Sequence, residues 1–148
     1  MPNLLAYAAL ILWPFFAKAI KRKFLFEDAV ILLFFVPYLF LPVKTSIDLP
    51  LLPPLSKTSV AALVALLLCY REIKKRKEVS ISGVYRLCLW LIFLGAIATV
   101  FLNNDPLIFD GRFIPGLKAW DLIGVLFVKF TVYFIPFFIG YYLLNSAQ

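Results

Sequence analysis

The sequence predicts an all-α integral membrane protein of about five transmembrane helices, with its N-terminus outside and its C-terminus in the cytoplasm. Of its 148 residues, 64% are hydrophobic and only 16% are charged, too little polar side chain to cover the core of a soluble domain of this size. The hydrophobic residues fall into five long runs rich in Phe and Tyr, which suit lipid tails and the headgroup level. Between the runs stand two tight basic clusters, Lys21-Arg22-Lys23 and Arg71 through Lys77.

The first run, 4–20, has no positive charge ahead of it, and Lys18, Lys21, Arg22 and Lys23 end it. A cleaved signal peptide has the reverse order, so this run is expected to remain as a helix. The second run is 24–43. The third, 55–70, is short against the roughly 20 residues a crossing needs, so it is expected either to tilt little and recruit neighbouring residues or to span a locally thinned bilayer. Ser56 can cap it, with Ser59 as a competing start. The fourth and fifth runs, 84–102 and 122–144, are long enough to cross. Trp120 suits an interfacial anchor for the fifth, Asp121 its N-cap, and Pro136 predicts a kink within it.

If the runs alternate, both basic clusters lie on one side, which the positive-inside rule makes cytoplasmic. The opposite connections, 44–57 and 103–121, carry only Lys44, Lys57, Arg112 and Lys118, offset by Asp48, Asp105, Asp110 and Asp121. In the first, prolines 50, 53 and 54 hold the chain extended at the membrane surface. In the second, Asp105-Pro106, Asp110-Gly111 and Pro115-Gly116 mark turns. The segments 107–110 and 112–114 between them suit a small hairpin lying on the membrane.

The chain has no histidine, which removes Ser-His-Asp and Cys-His chemistry. Its carboxylates lack metal-ligand spacing, and its glycines form no phosphate-cradling loop. The sequence therefore predicts no catalytic residue, no metal and no cofactor. The net charge of +7 lies beside hydrophobic runs, where it orients helices and meets anionic lipid; no nucleic-acid partner is expected. Cys69 and Cys88 read as small packing residues.

Three cations are candidate substrate-binding residues. Lys129 lies two turns inside the fifth run, where a lysine costs a few kcal/mol unless it reaches water or a partner. It either faces a cavity open to the outside, where it would attract the diphosphate of a lipid-linked sugar, or snorkels and pairs with a neighbouring helix. Arg112 and Lys118 can contact phosphate or acidic glycan at the membrane surface, or be simply solvated. Asp105 and Asp110 can be read as an acid–base pair, but Pro106 and Gly111 beside them favour turn-forming roles.

The pattern Ser46-x-Asp48-Leu49-Pro50-x-Leu52-Pro53-Pro54-Leu55-x-Lys57 ahead of a helix resembles the amino-terminal third of proteins in the O-antigen ligase and polymerase family. So do Asn104-Asp105-Pro106, then Ile114-Pro115-Gly116-Leu117 and Asp121, then Ile135-Pro136-Phe137-Phe138-Ile139-Gly140. The resemblance covers nearly the whole chain and rests on Pro, Gly, Asp and apolar residues. It implies a polytopic protein of the bacterial inner membrane. Members take glycan from an undecaprenyl diphosphate carrier, on the periplasmic side, and join it to lipid A core or a growing polymer. The arginines, and in ligases a histidine, that the family is thought to use belong to a later part of its chains, so no catalytic residue carries over. The resemblance thus implies the front part of a larger fold, catalytically incomplete alone. Its partners would be the bilayer, an undecaprenyl diphosphate-linked glycan, and a catalytic membrane subunit or a C-terminal portion. The alternative expectation is a small helical membrane scaffold or transporter accessory subunit with no glycan role.

Overall fold

A computed structural model describes residues 4–43, 45–48, 53–75, 81–109 and 111–144; for 107, 109, 112, 114 and 144 only the backbone is described. Lys44, Leu49, Pro50, Leu52, Arg76, Lys77 and Asp110 lie outside the described residues. The chain is all-α apart from one short hairpin. In order it forms α1 (Leu4–Lys23), α2 (Phe26–Phe40), α3 (Lys57–Lys75), α4 (Gly83–Leu102), β1 (Leu107–Phe109), β2 (Arg112–Ile114), α5 (Asp121–Lys129), a π-helical turn (Phe130–Phe134) and α6 (Ile135–Leu144). Among the described residues, three helical segments are long and apolar enough to cross a membrane: Leu4–Lys23, Gly83–Leu102 and Asp121–Leu143.

The helix boundaries follow from local chemistry, and two differ from expectation. α2 has 15 residues and stops short of 43 because Leu41 precedes Pro42. That position disfavours helical ψ, and Leu41 is extended at ψ 144°. α3 has 19 residues and runs past 70 through Arg71, Lys74 and Lys75, cations that suit the negative end of a helix. The second helix, not the third, is therefore the shortest of the first four. The Ser59 N–H donates to Ser56 Oγ at 3.4 Å, so Ser56 rather than Ser59 begins α3. Asp121 is not the N-cap of α5. It is the first helical residue, and its Oδ2 accepts from the Lys118 N–H at 2.7 Å. Trp120 is 82% exposed.

The chain divides into two compact units, residues 1–80 with 131–148, and residues 81–130. In the first, α3 packs against α1, α2 and α6, and α2 against α1 and α6. Leu10, Trp13 and Ala17 of α1, Leu33 of α2 and the small residues Ala62, Ala65 and Cys69 of α3 meet Ile135, Ile139 and Leu143 of α6. Small residues on α3 let neighbouring backbones approach closely, as membrane helices favour. The connection after α2 is closed by backbone bonds between Ile47 and Leu55, at 3.0 and 3.1 Å.

In the second unit α4 packs against α5 through Ala96 and Val100. β1 and β2 pair antiparallel, with Phe109 opposite Arg112, which leaves a two-residue turn. Gly111 sits in that turn at φ +70°, a left-handed conformation that glycine adopts without steric cost. Both thiols are free. Cys69 is buried, as a packing residue should be, but Cys88 is exposed on α4 and packs against nothing that covers it.

Candidate lipid-binding groove

In the first unit a groove of about 520 Å³ runs between α2, α3 and α6, within the roughly 300–1,000 Å³ usual for a ligand site. Large side chains of α2, Phe34, Phe35 and Tyr38, face small ones elsewhere, Ala61 on α3 and Gly140 on α6. Such pairing leaves space that an all-large lining would fill. Along α2 the lining extends from Val30 to Tyr38, about 12 Å at the helical rise.

The polar groups cluster at the end marked by Tyr38 and the start of α3. Lys57 Nζ donates to the Tyr38 carbonyl at 2.8 Å and lies 5.0 Å from the centre of the Tyr38 ring. Thr58 Oγ1 and Ser56 Oγ are 2.8 Å apart, and Ser56 Oγ and Ser59 Oγ 3.3 Å apart. Ser59 Oγ then meets Thr131 Oγ1 at 3.2 Å, with both residues fully buried. A chain of hydroxyls thus leads from the groove's polar end into the core and ties α3 to the π-helical turn. That turn directly precedes Pro136, whose ring crowds the carbonyl of Val132 and offers no N–H to it. A π turn, the wider helical form found mostly as single turns within α-helices, thus stands beside Pro136.

Lysine in the first turn of a helix faces the positive end of the helix dipole, an unfavourable place for a cation. Lys57 and the first N–H groups of α3 therefore share a need for an anion or an acceptor, which the Tyr38 carbonyl meets in part.

Among the described residues, neither Lys129 nor Lys118 lines this groove. Lys129 is the last residue of α5, half-buried and in the second unit. Lys118 is exposed in the connection before α5. Arg112 lies in β2 opposite Phe109. Lys57 was legible only as a loop cation and as the last residue of the proline-rich pattern; its position against the helix dipole was the available signal. Among the described residues no group of three potential metal ligands occurs.

The second unit brings together two stretches of the loop pattern quoted above. The Leu117 N–H donates to the Asn103 carbonyl at 2.8 Å, and Gly116 lies so close to Asn104 that a Cβ there would be 1.9 Å from its carbonyl oxygen. On the hairpin, Ile108 and Phe113 are cross-strand partners and both are well exposed.

No protein-family model, no curated protein and no solved structure matches the chain.

Proposed function

We propose that this protein is a membrane component of bacterial surface-polysaccharide assembly, of the O-antigen ligase or polymerase type. In this reading it holds an undecaprenyl diphosphate-linked glycan while the transfer chemistry resides in residues other than those described. The observation that carries the reading is the groove: an apolar channel open to the surroundings along α2, with an ammonium group and a helix N-terminus at one end. A prenyl tail suits the apolar length. A diphosphate suits Lys57, the Thr58 hydroxyl and the N–H groups of α3, where anions are favoured. The tail is far longer than about 12 Å of groove, so its remainder runs on into the bilayer.

The same reading places the protein in the inner membrane with five crossings, α1, α2, α3, α4 and the continuous segment from α5 to α6. The groove's polar end and the 103–121 connection then face the periplasm. Lys118 and Arg112 would meet glycan or phosphate at that surface.

The test is photo-crosslinking of a prenyl diphosphate probe to the purified protein in nanodiscs. Labelling is expected on α2, α3 or α6, and Lys57→Gln should weaken it about tenfold or more, the worth of a charge-assisted hydrogen bond. Labelling that is diffuse, or indifferent to Lys57, defeats the proposal. The scaffold or accessory-subunit alternative draws on α4, whose Trp90, Leu91 and Leu94 are largely exposed and could meet a partner helix. Loss of surface glycan on deletion favours the first reading, and normal glycan with an altered partner complex favours the second.

A further inference from the structure

We propose that the first unit carries a second lipid site, a seat for the phosphodiester headgroup of an anionic phospholipid, where the end of α1 meets the last two turns of α3. Lys21 Nζ donates to the Leu68 carbonyl of α3 and lies 5.8 Å from the Phe26 ring centre. The last turn of α1 is thereby held against α3 at Leu68, about one turn before Arg71 and two turns before the helix ends at Lys75. Around this fixed point Lys18, Arg22, Lys23, Arg71 and Lys74 are all exposed.

Among the described residues none of these five cations makes a hydrogen bond or an ion pair, whereas Lys75 has Glu72 at 3.4 Å. Of the described acids on these stretches, Glu72 is paired with Lys75, and Glu27 and Asp28 occupy the first turn of α2, where the helix's own positive end favours them. Two helix C-termini present about one negative charge between them, too little to balance five cations. The seat also has an apolar border: Phe24, Leu25 and Tyr70 are exposed at this end, suited to glycerol and upper acyl-chain carbons. Arg22 and Arg71 offer planar donor forks that match a phosphate, and Lys23 and Lys74 add point charges.

This seat is separate from the groove and does not depend on its reading. Lys57 and Lys75 are opposite ends of α3, about 27 Å apart at 1.5 Å per residue, close to the hydrocarbon thickness of a bilayer. One helix thus has its two charged ends near opposite membrane surfaces.

The experiment is native mass spectrometry of the full chain released from nanodiscs of phosphatidylcholine mixed with phosphatidylglycerol. Retention of phosphatidylglycerol over phosphatidylcholine is expected. Each neutralised cation should lower that retention about fivefold, so the Arg22→Gln/Arg71→Gln pair loses much of it and Arg22→Gln/Lys23→Gln/Arg71→Gln/Lys74→Gln nearly all. Arg22→Lys/Arg71→Lys, which keeps charge but loses the forks, should fall between wild type and the Gln pair. An unreactive Cys69 verifies that each variant is folded. Equal retention of the two lipids by wild type overturns the proposal, as does undiminished retention in the Gln pair. Displacement of phosphatidylglycerol by inorganic phosphate alone would also overturn it, by showing a free-anion site.

Discussion

Replacing Gly116 by alanine puts a methyl group where the chain has no room. The added Cβ would lie 1.9 Å from the Asn104 carbonyl oxygen, 2.3 Å from its carbonyl carbon and 3.0 Å from that of Asp105. Carbon contacts are comfortable near about 3.5 Å, so the two stretches must separate by more than about 1 Å. No side chain can swing away, because every atom in the way is backbone. Asn104 is also tethered, its Nδ2 donating to the Phe101 carbonyl at 3.0 Å. The bond most easily given up is the 2.8 Å one from the Leu117 N–H to the Asn103 carbonyl. Overpacking of this kind costs about 1–3 kcal/mol, and losing the hydrogen bond about 0.5–1.5 kcal/mol. Because separation relieves the clash as it breaks the bond, the two costs overlap, and a net of about 2 kcal/mol is expected. Amide hydrogen exchange at Leu117, measured in one detergent for both proteins, should then be about thirtyfold faster in the variant. Gly124→Ala is the control, since a Cβ there meets nothing within 4 Å. It should leave Leu117 unchanged and favour helix α5 by about 1 kcal/mol. Unchanged exchange at Leu117 in Gly116→Ala would refute the reasoning.

The hydroxyl pair Ser59 and Thr131 should show a favourable coupling of about 0.6 kcal/mol in a double-mutant cycle with Ser59→Ala and Thr131→Val, the typical size for hydrogen bonds between membrane helices; steric-trap unfolding measures it, and zero coupling excludes the bond. A maleimide added to the folded protein should modify Cys88 and spare Cys69, giving one adduct by intact mass until denaturant is added. Brominated lipids should quench Trp90 and Trp120, which are exposed, and spare Trp13, which is 4% exposed. Trp120 should respond most to bromines near the headgroup, and quenching of Trp13 as strong as that of Trp90 would contradict the packing of α1.

Much of the helical layout was legible because hydrophobic runs and their charged ends are local signals. Lys21-Arg22-Lys23 closes α1, and Asp110-Gly111 separates the two strands of the hairpin. The end of α2 was missed although its cause, Leu41 before Pro42, is also local; a hydrophobic run continues where the backbone cannot. The extension of α3 was expected in that its short run had to recruit neighbouring residues, but not its course through Arg71 to Lys75, which are polar yet favourable at a helix C-terminus. The groove was not legible, because it depends on which faces of α2, α3 and α6 meet. Nothing in the spacing of Ala61, Phe35 and Gly140 announces that they share a space. Lys129 drew notice as a lone cation inside an apolar run. Lys57 did not, because it looked like an ordinary loop residue until the helix was seen to begin there.

α3 has contacts with three other helices, and this shelter changes what its sequence has to satisfy. A helix facing lipid must match the bilayer in length and polarity, and a short or charged one is penalised through thinning or tilt. α3 buries Ser59, Ala61, Ala62, Val64, Ala65 and Cys69, so much of its surface meets protein instead of acyl chains. Among the described residues α1, which buries three residues, and the segments Gly83–Leu102 and Asp121–Leu143 have the length and hydropathy of a crossing. Where α3 meets α1, α2 and α6, matching to lipid matters less, and its positions are free to be serines, small residues and a terminal lysine.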